Sequence, residues 1–119
     1  MEFQYAKDIL DKLNSAEAIM SDSDVFVLEL TKNRRAEILQ CVGRYFTLHP
    51  DETSDVYKIV YGVLLKIESA FIDLPSYIEI QERIYPLKFA FDDKVLVHLN
   101  HYEVKMLMIV LGDSLRCVI

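Results

Sequence analysis

The sequence predicts an α+β domain in which about four helices pack on a small, mostly antiparallel sheet of three to four strands. Its 119 residues are 52% apolar, with only three glycines and three prolines, so the chain can bury a core and is not collagen-like or of low complexity. Segments with helical apolar spacing also alternate with short runs of β-branched residues. We therefore expect a single compact domain over residues 1–119, with the element order α-β-α-α-β-β-β-α.

The first half of the chain begins with a helix, a strand and a second helix. Apolar residues at three- and four-residue spacing predict an amphipathic helix over residues 3–20. The β-branched run at residues 25–30 is bounded by polar residues, which is typical of a mostly buried strand. Thr31 can then cap the second helix. That helix is expected to end near His49, because the residue before Pro50 avoids the helical region.

A third helix follows a short acidic segment. Acids and hydroxyls occupy most of residues 51–55, and carboxylates suit the positive end of a helix. Residues 56–71 carry apolar side chains on a core face and on its flank, which predicts packing on two sides. The sequence Leu74-Pro75-Ser76 should end this helix.

Three strands and a last helix are predicted for the remainder. Residues 77–85 alternate loosely and indicate one strand. Residues 87–91 and 95–99 flank an acidic turn, which favours a hairpin. Asn100 and Glu103 then match the capping box in outline, with asparagine in the serine position. We expect the final helix to begin at about this point and run toward the C-terminus.

Two parts of the chain are similar to each other. Residues 26–46 align with residues 95–115 without gaps, at a constant offset of 69. Each part is a predicted strand, a capping residue (Thr31 or Asn100) and an apolar helix. A duplicated strand–helix unit is one interpretation. The favoured one is that any strand leading into a capped helix shows this pattern.

The charge is acidic and unevenly distributed. The net charge is −6, which argues against nucleic acid and against an anionic membrane as direct partners, because both are bound through lysine and arginine. Residues 1–31 and 50–82 carry −5 each, residues 32–49 carry +3 and residues 83–119 carry +1. An acidic surface commonly steers a protein toward a partner with a basic surface.

The basic block contains one cluster, formed by Lys32, Arg34, Arg35 and Arg44. Three of these cations lie at the start of the second helix, where positive charge is mildly unfavourable. Their placement therefore suggests a role in contacts between elements. We expect salt bridges to the acidic first helix or to a partner, rather than contact with phosphate.

Reactive side chains do not form a recognisable catalytic, metal or cofactor motif. His98 and His101 form the nearest approach to a metal pair, but no third ligand stands at a suitable spacing. Cys41 and Cys117 both lie among apolar residues, which favours separately buried, reduced thiols over a nucleophile or a disulfide. We therefore predict no catalytic residue, no metal ligand and no cofactor.

The same features predict a cytoplasmic protein, of a bacterium or of an infected host cell. The first residues lack the basic segment and apolar run of a signal peptide. The longest apolar stretch, residues 106–111, is far too short to span a bilayer. Two widely spaced cysteines are also fewer than a small secreted scaffold would carry.

Acids and tyrosines near the third helix form the candidate partner-binding site. Tyrosine together with charge is typical of recognition surfaces. The alternative is that helix starts attract acids for dipole reasons alone and that the tyrosines are simply half-buried. The candidate residues are Asp51, Glu52, Asp55, Tyr57, Tyr77, Glu79 and Glu82.

These observations leave three hypotheses for function. The first is a non-enzymatic protein-binding module, most concretely an acidic stoichiometric inhibitor of a basic or nucleic-acid-handling protein. Toxin immunity proteins and phage anti-defence proteins share this size, charge sign and lack of catalytic motifs. The second is a self-associating structural or adaptor subunit, and the apolar flank of residues 56–71 favours a homo-oligomer. The third is a small enzyme in which the fold assembles His98, His101 and acids.

Overall fold

The computed structural model describes residues 3–72, 77–80, 83–86 and 94–116, with residues 77–80 and 83–86 described by their backbone alone. This part of the chain is an α+β fold, as predicted. The helices and strands are α1 (Gln4–Glu17), β1 (Val25–Leu30), α2 (Lys32–Leu48), α3 (Asp55–Ile72), β2 (Tyr77–Ile80), β3 (Arg83–Pro86), β4 (Val95–Asn100) and α4 (His101–Arg116).

The strands form two separate antiparallel pairs. β1 pairs with β4, and β2 pairs with β3. Within the described residues no third strand joins either pair, so the prediction of one sheet with three to four strands is wrong. The segment predicted as a single strand, residues 77–85, contains β2 and most of β3. In the sequence, the polar pair Gln81-Glu82 divides this segment into two parts. A loose alternation of apolar and polar residues is compatible with one strand or with two, so it could not predict the break.

The predicted hairpin between residues 87–91 and 95–99 is only partly covered by the structure. Residues 87–93 lie outside the described residues. β4 lies within them and pairs with β1, which is far away in the sequence. In this pair the side chains of Leu28, Leu30, Val95, Val97 and Leu99 are buried on the inner face.

α4 is the central element of the core. It packs against α1, α2 and α3, and also against both strands of the β1–β4 sheet. Its inward side is Val104, Leu107, Val110 and Leu111, all fully buried. Buried Ser114 donates a hydrogen bond of 2.7 Å from Oγ to the backbone carbonyl of Cys41, which fixes α4 to α2.

Helix α3 is apolar on two sides, as the sequence indicates. Val60, Val63 and Ile67 are buried in the core. On the outer side Tyr61, Leu65 and Ile72 are exposed. None of the helices in the described residues has the length and apolar character required to cross a membrane.

Both predicted helix caps are confirmed. Thr31 Oγ1 accepts a hydrogen bond from the backbone N–H of Arg34 at 3.3 Å. At the start of α4, Asn100 Oδ1 accepts from the Glu103 N–H at 2.8 Å, and Glu103 Oε1 accepts from the Asn100 N–H at 3.0 Å. This reciprocal pair is the capping box.

The β1–β4 pairing sets the strands of the two similar parts of the sequence against each other. In the β1–β4 register Leu28 lies opposite Val97, and the sequence alignment equates the same two residues. Each strand then leads into a capped helix. If a strand–helix unit were duplicated and the two copies paired, equivalent residues would lie opposite each other in this way. The duplication itself stays a prediction.

The basic cluster links elements, as predicted in outline. Arg34 Nη2 binds Asp8 Oδ2 of α1 at 2.9 Å, which is the expected bridge to the acidic first helix. Arg35 instead reaches α3, where Nε and Nη2 bind the two carboxylate oxygens of Glu68 at 2.9 and 2.6 Å. This two-point contact ties α2 to α3.

Candidate functional site

The candidate site lies on the α2–α3 connection, residues 49–54, and on the adjoining ends of both helices. Asp51 and Glu52 are exposed in the connection, and Asp55 is exposed in the first turn of α3. None of the described side chains pairs with Glu52 or Asp55. The three carboxylates are therefore exposed to solvent.

The backbone around Asp51 is ordered by its own side chains. Asp51 Oδ1 accepts hydrogen bonds from Thr53 Oγ1 at 2.6 Å and from the Thr53 N–H at 3.0 Å. These bonds favour the ionised carboxylate and lower the pKa of Asp51 below its ordinary value. Ser54 caps α3, because its Oγ accepts from the Tyr57 N–H at 3.1 Å. Asp51 is thus held in place by Thr53, and Ser54 rather than any of the three acids caps α3.

A row of aromatic rings lies beside these acids. The Tyr57 ring centroid is 4.6 Å from that of Phe46 and 6.4 Å from that of Tyr61, whose plane is almost parallel to it. Phe46 also meets Tyr45 edge-on at 5.5 Å. Such ring pairs stabilise a rigid surface beyond the area they bury.

Part of the row is open to solvent. Tyr61 is 53% exposed. We define the acid–tyrosine surface by its residues Asp51, Glu52, Asp55, Tyr57 and Tyr61. Acids that can steer a partner thereby occur within a few residues of aromatic contact area.

Four of the seven predicted site residues, Asp51, Glu52, Asp55 and Tyr57, lie close together in the sequence at the α2–α3 connection and the start of α3. Their joint role as a binding site stays a prediction. The backbones of Tyr77 and Glu79 lie in β2, but their side chains are outside the described residues, as is all of Glu82. Nothing in the described structure therefore relates these three to the surface.

Sequence analysis missed the contribution of α2 to this site. The Phe46 ring contacts Tyr57, and the His49 ring contacts Tyr45, yet both residues precede the acids and have the pattern typical of a helix and its end. His49 Nε2 lies 3.1 Å from Asp113 Oδ2, which ties the connection to α4. The four-residue spacing of Tyr45 and His49 was the available signal, because it places two rings on one helical face.

The two histidines considered for metal or catalysis have separate surroundings. His101 lies between acids, with Nδ1 at 3.2 Å from Asp22 and Nε2 at 3.4 Å from Glu17. His98 is exposed on the outer face of β4. Across residues 3–72 and 94–116, no group of three or more His, Cys, Asp and Glu side chains is arranged to hold a metal ion.

Cys41 is the cysteine that the described residues include. It is a free, fully buried thiol. Burial, and to a lesser extent the negative charge of Glu37, raises its pKa to about 11. The thiol is therefore protonated at neutral pH and is a poor nucleophile. Cys117 lies outside the described residues.

Thr53→Ala should raise the pKa of Asp51 toward its ordinary value. The Thr53 hydroxyl is the main cause of the lowering, and the backbone N–H would remain. A carboxylate with a lowered pKa contributes stability above its unfolded pKa and loses it as pH falls through the folded value. An NMR titration of the Asp51 carboxyl carbon would measure this shift, with Thr47→Ala as the control. An unchanged pKa would contradict the hydroxyl's role.

Comparison with family models, with curated proteins and with solved structures finds no match to this chain. The arguments for its function therefore come from the surface chemistry of the molecule itself.

Proposed function

We propose that the protein is a non-enzymatic protein-binding module, an acidic stoichiometric inhibitor that docks its acid–tyrosine surface on a basic partner. The proposal is supported by three exposed carboxylates, Asp51, Glu52 and Asp55, that precede or begin the helix whose first turns carry the Tyr57 and Tyr61 rings. Rigid aromatic anchors beside charge are the usual composition of binding hot spots.

Each part of the surface has a distinct role in binding. Asp51, Glu52 and Asp55 steer the encounter, because exposed charges mainly raise the association rate in a salt-dependent manner. Tyr57 and Tyr61 then supply apolar contact area, which mainly slows dissociation. The hydrogen bonds between Asp51 and Thr53 reduce the conformational entropy lost when the partner binds.

The partner would be a basic protein surface, such as a nucleic-acid-binding groove or a basic toxin. Toxin immunity and phage anti-defence remain the concrete forms of this proposal, with a cytoplasmic setting. The protonated, buried thiol of Cys41 is compatible with a reducing compartment. The net charge of −6 also supports a basic partner over nucleic acid or an anionic membrane.

Replacing Asp51, Glu52 and Asp55 together by Asn, Gln and Asn should slow association with the partner on the order of tenfold. The salt dependence of the association rate should flatten, since the steering charges are gone. The fold should be preserved because Ser54, rather than any of the three acids, caps α3. Affinity capture identifies the basic partner, and biolayer interferometry over a range of salt concentrations measures the rates.

The matched control makes the same chemical change on α1. Asp8→Asn, Asp11→Asn and Glu17→Gln remove the same charge from another surface, and the pairs they lose are at least partly exposed, so circular dichroism should confirm that this variant is folded. If the α1 triple slows association as much as the triple at the α2–α3 connection, net charge alone acts and the acid–tyrosine surface is not the site. An acidic captured partner would also contradict the proposal.

A further inference from the structure

The outer edge of β1 presents backbone groups that no described strand pairs. In an antiparallel pair, residues alternately direct both backbone groups toward the partner strand or both away from it. The Glu29 carbonyl accepts a hydrogen bond from Arg34 Nη1 at 3.4 Å, so Glu29 faces away from β4. Val25 and Val27 stand at two-residue steps from Glu29 and therefore face away as well.

The opposite strand supports the same alternation. His98 lies opposite Val27, and Asn100 lies opposite Val25. The His98 carbonyl accepts a hydrogen bond from Lys66 Nζ at 3.1 Å, and the Asn100 N–H donates to Glu103. Both groups point away from β1, as they must if Val27 and Val25 are turned outward.

The two edges of this sheet differ in how far they are covered. On β4, Lys66 and Glu103 occupy backbone groups at two of the three outward positions, His98 and Asn100. On β1, Arg34 occupies one carbonyl at the end of the strand. Within the described residues the outward groups of Val25 and Val27 have no partner. Open edges of this kind are templates for pairing with another strand.

The surroundings of the β1 edge have room for another strand. A groove of about 580 Å³ separates β1 from α1, and Ile19 and Val27 are among the residues that line it. Ile19 is 84% exposed, Val25 59% and Val27 44%. A strand laid along β1 would therefore satisfy backbone groups and cover apolar side chains at the same time.

We propose that the occupant of this edge is β1 of a second copy of the chain. Two β1 strands would pair antiparallel about a two-fold axis, which joins both two-stranded sheets into a continuous four-stranded sheet. With the axis at Val27, that residue would pair with the partner's Val27, and Val25 with the partner's Glu29. The same backbone groups would then be satisfied in both copies.

Charge complementarity favours a second copy over an unrelated peptide. Asp22 and Asp24 immediately precede β1, and the basic run Lys32-Asn33-Arg34-Arg35 immediately follows it. Antiparallel pairing about Val27 brings the acidic turn before each strand near the basic start of α2 in the other copy. The edge is therefore complementary to itself in hydrogen bonding and charge.

The first test compares two proline variants by light scattering at micromolar concentration. Val27→Pro removes an outward N–H from β1, and Leu96→Pro removes an outward N–H from β4, so neither removes a hydrogen bond of the β1–β4 ladder. We expect the wild-type chain and Leu96→Pro to be dimers and Val27→Pro to be a monomer. A monomeric wild type overturns the proposal, as does a dimer that Val27→Pro leaves intact.

A charge exchange keeps the proposal testable if both proline variants unfold. Asp22→Lys and Lys32→Glu should each weaken the homodimer about tenfold, because each places like charges at both ends of the paired strands. An equimolar mixture of the two variants should restore a dimer, since the heterodimer has opposite charges at both ends. A mixture that dimerises no better than either variant overturns the proposal and leaves an extended peptide of another protein as the occupant.

Discussion

Leu107→Ala should lower the free energy of unfolding by about 2–5 kcal/mol. Leu107 is fully buried on α4, and α4 packs against the three other helices and both strands of the β1–β4 sheet. Removing the side chain loses its transfer free energy and leaves a cavity at the centre of the core. Because a domain of this size is stable by only about 5–15 kcal/mol, the loss is a large fraction of the total.

The matched control for this change lies on the same helix. Ile109 stands two residues away and is 45% exposed, so Ile109→Ala should change stability by about 1 kcal/mol at most. Urea unfolding followed by circular dichroism measures both variants, at one fixed protein concentration because self-association adds to apparent stability. Equal effects of the two substitutions would contradict the central position of Leu107.

Features that depend on neighbouring residues could be predicted from the sequence. The capping box needs Asn100 and Glu103 three residues apart, and both hydrogen bonds are present. The end of α2 depends on Pro50, whose ring restricts the preceding residue. Such signals are short-range, so one sequence contains all the information they need.

Features that depend on distant residues could not be predicted. The pairing of β1 with β4 joins residues about seventy positions apart, and apolar alternation shows which face of a strand is buried but does not show which strand lies beside it. The predicted hairpin partner for β4 rests on a turn signal and on proximity in the sequence, and residues 87–91 lie outside the described residues.

The candidate site also combines features that depend on neighbouring residues with features that depend on distant ones. The acids and Ser54 follow from local helix-start chemistry, so Asp51 and Asp55 could be anticipated. The contact of Phe46 with Tyr57 depends on how α2 and α3 cross. Arg35 and Glu68 fix that crossing through a salt bridge between residues far apart in the sequence. Sequence reasoning could thus propose the acids and Tyr57 as candidates. It could not predict that the Phe46 ring packs against Tyr57.

Glu103→Ala should lower the free energy of unfolding by about 1.5–3 kcal/mol, because one carboxylate oxygen serves two partners. Glu103 Oε1 accepts from the Asn100 N–H at 3.0 Å and from Lys66 Nζ at 2.8 Å. The residue is buried, whereas the Lys66 side chain is about half exposed. Lys66 can therefore return to water when Glu103 is removed, which keeps the loss below that of a fully buried ion pair.

Two further variants separate the cap from the charge. Glu103→Gln keeps a side-chain oxygen for the Asn100 N–H but removes the charge that faces Lys66, so it should be less destabilising than Glu103→Ala. Thr31→Ala removes the equivalent cap of α2 and should lower the free energy of unfolding by about 0.5–2 kcal/mol.

If Lys66 and Glu103 act through their charges, the double variant Lys66→Met, Glu103→Gln should lose less free energy of unfolding than the two single variants lose together. Strict additivity in urea unfolding would show that Lys66 of α3 and Glu103 of α4 do not interact through their charges, and that Glu103 stabilises α4 through the capping box alone.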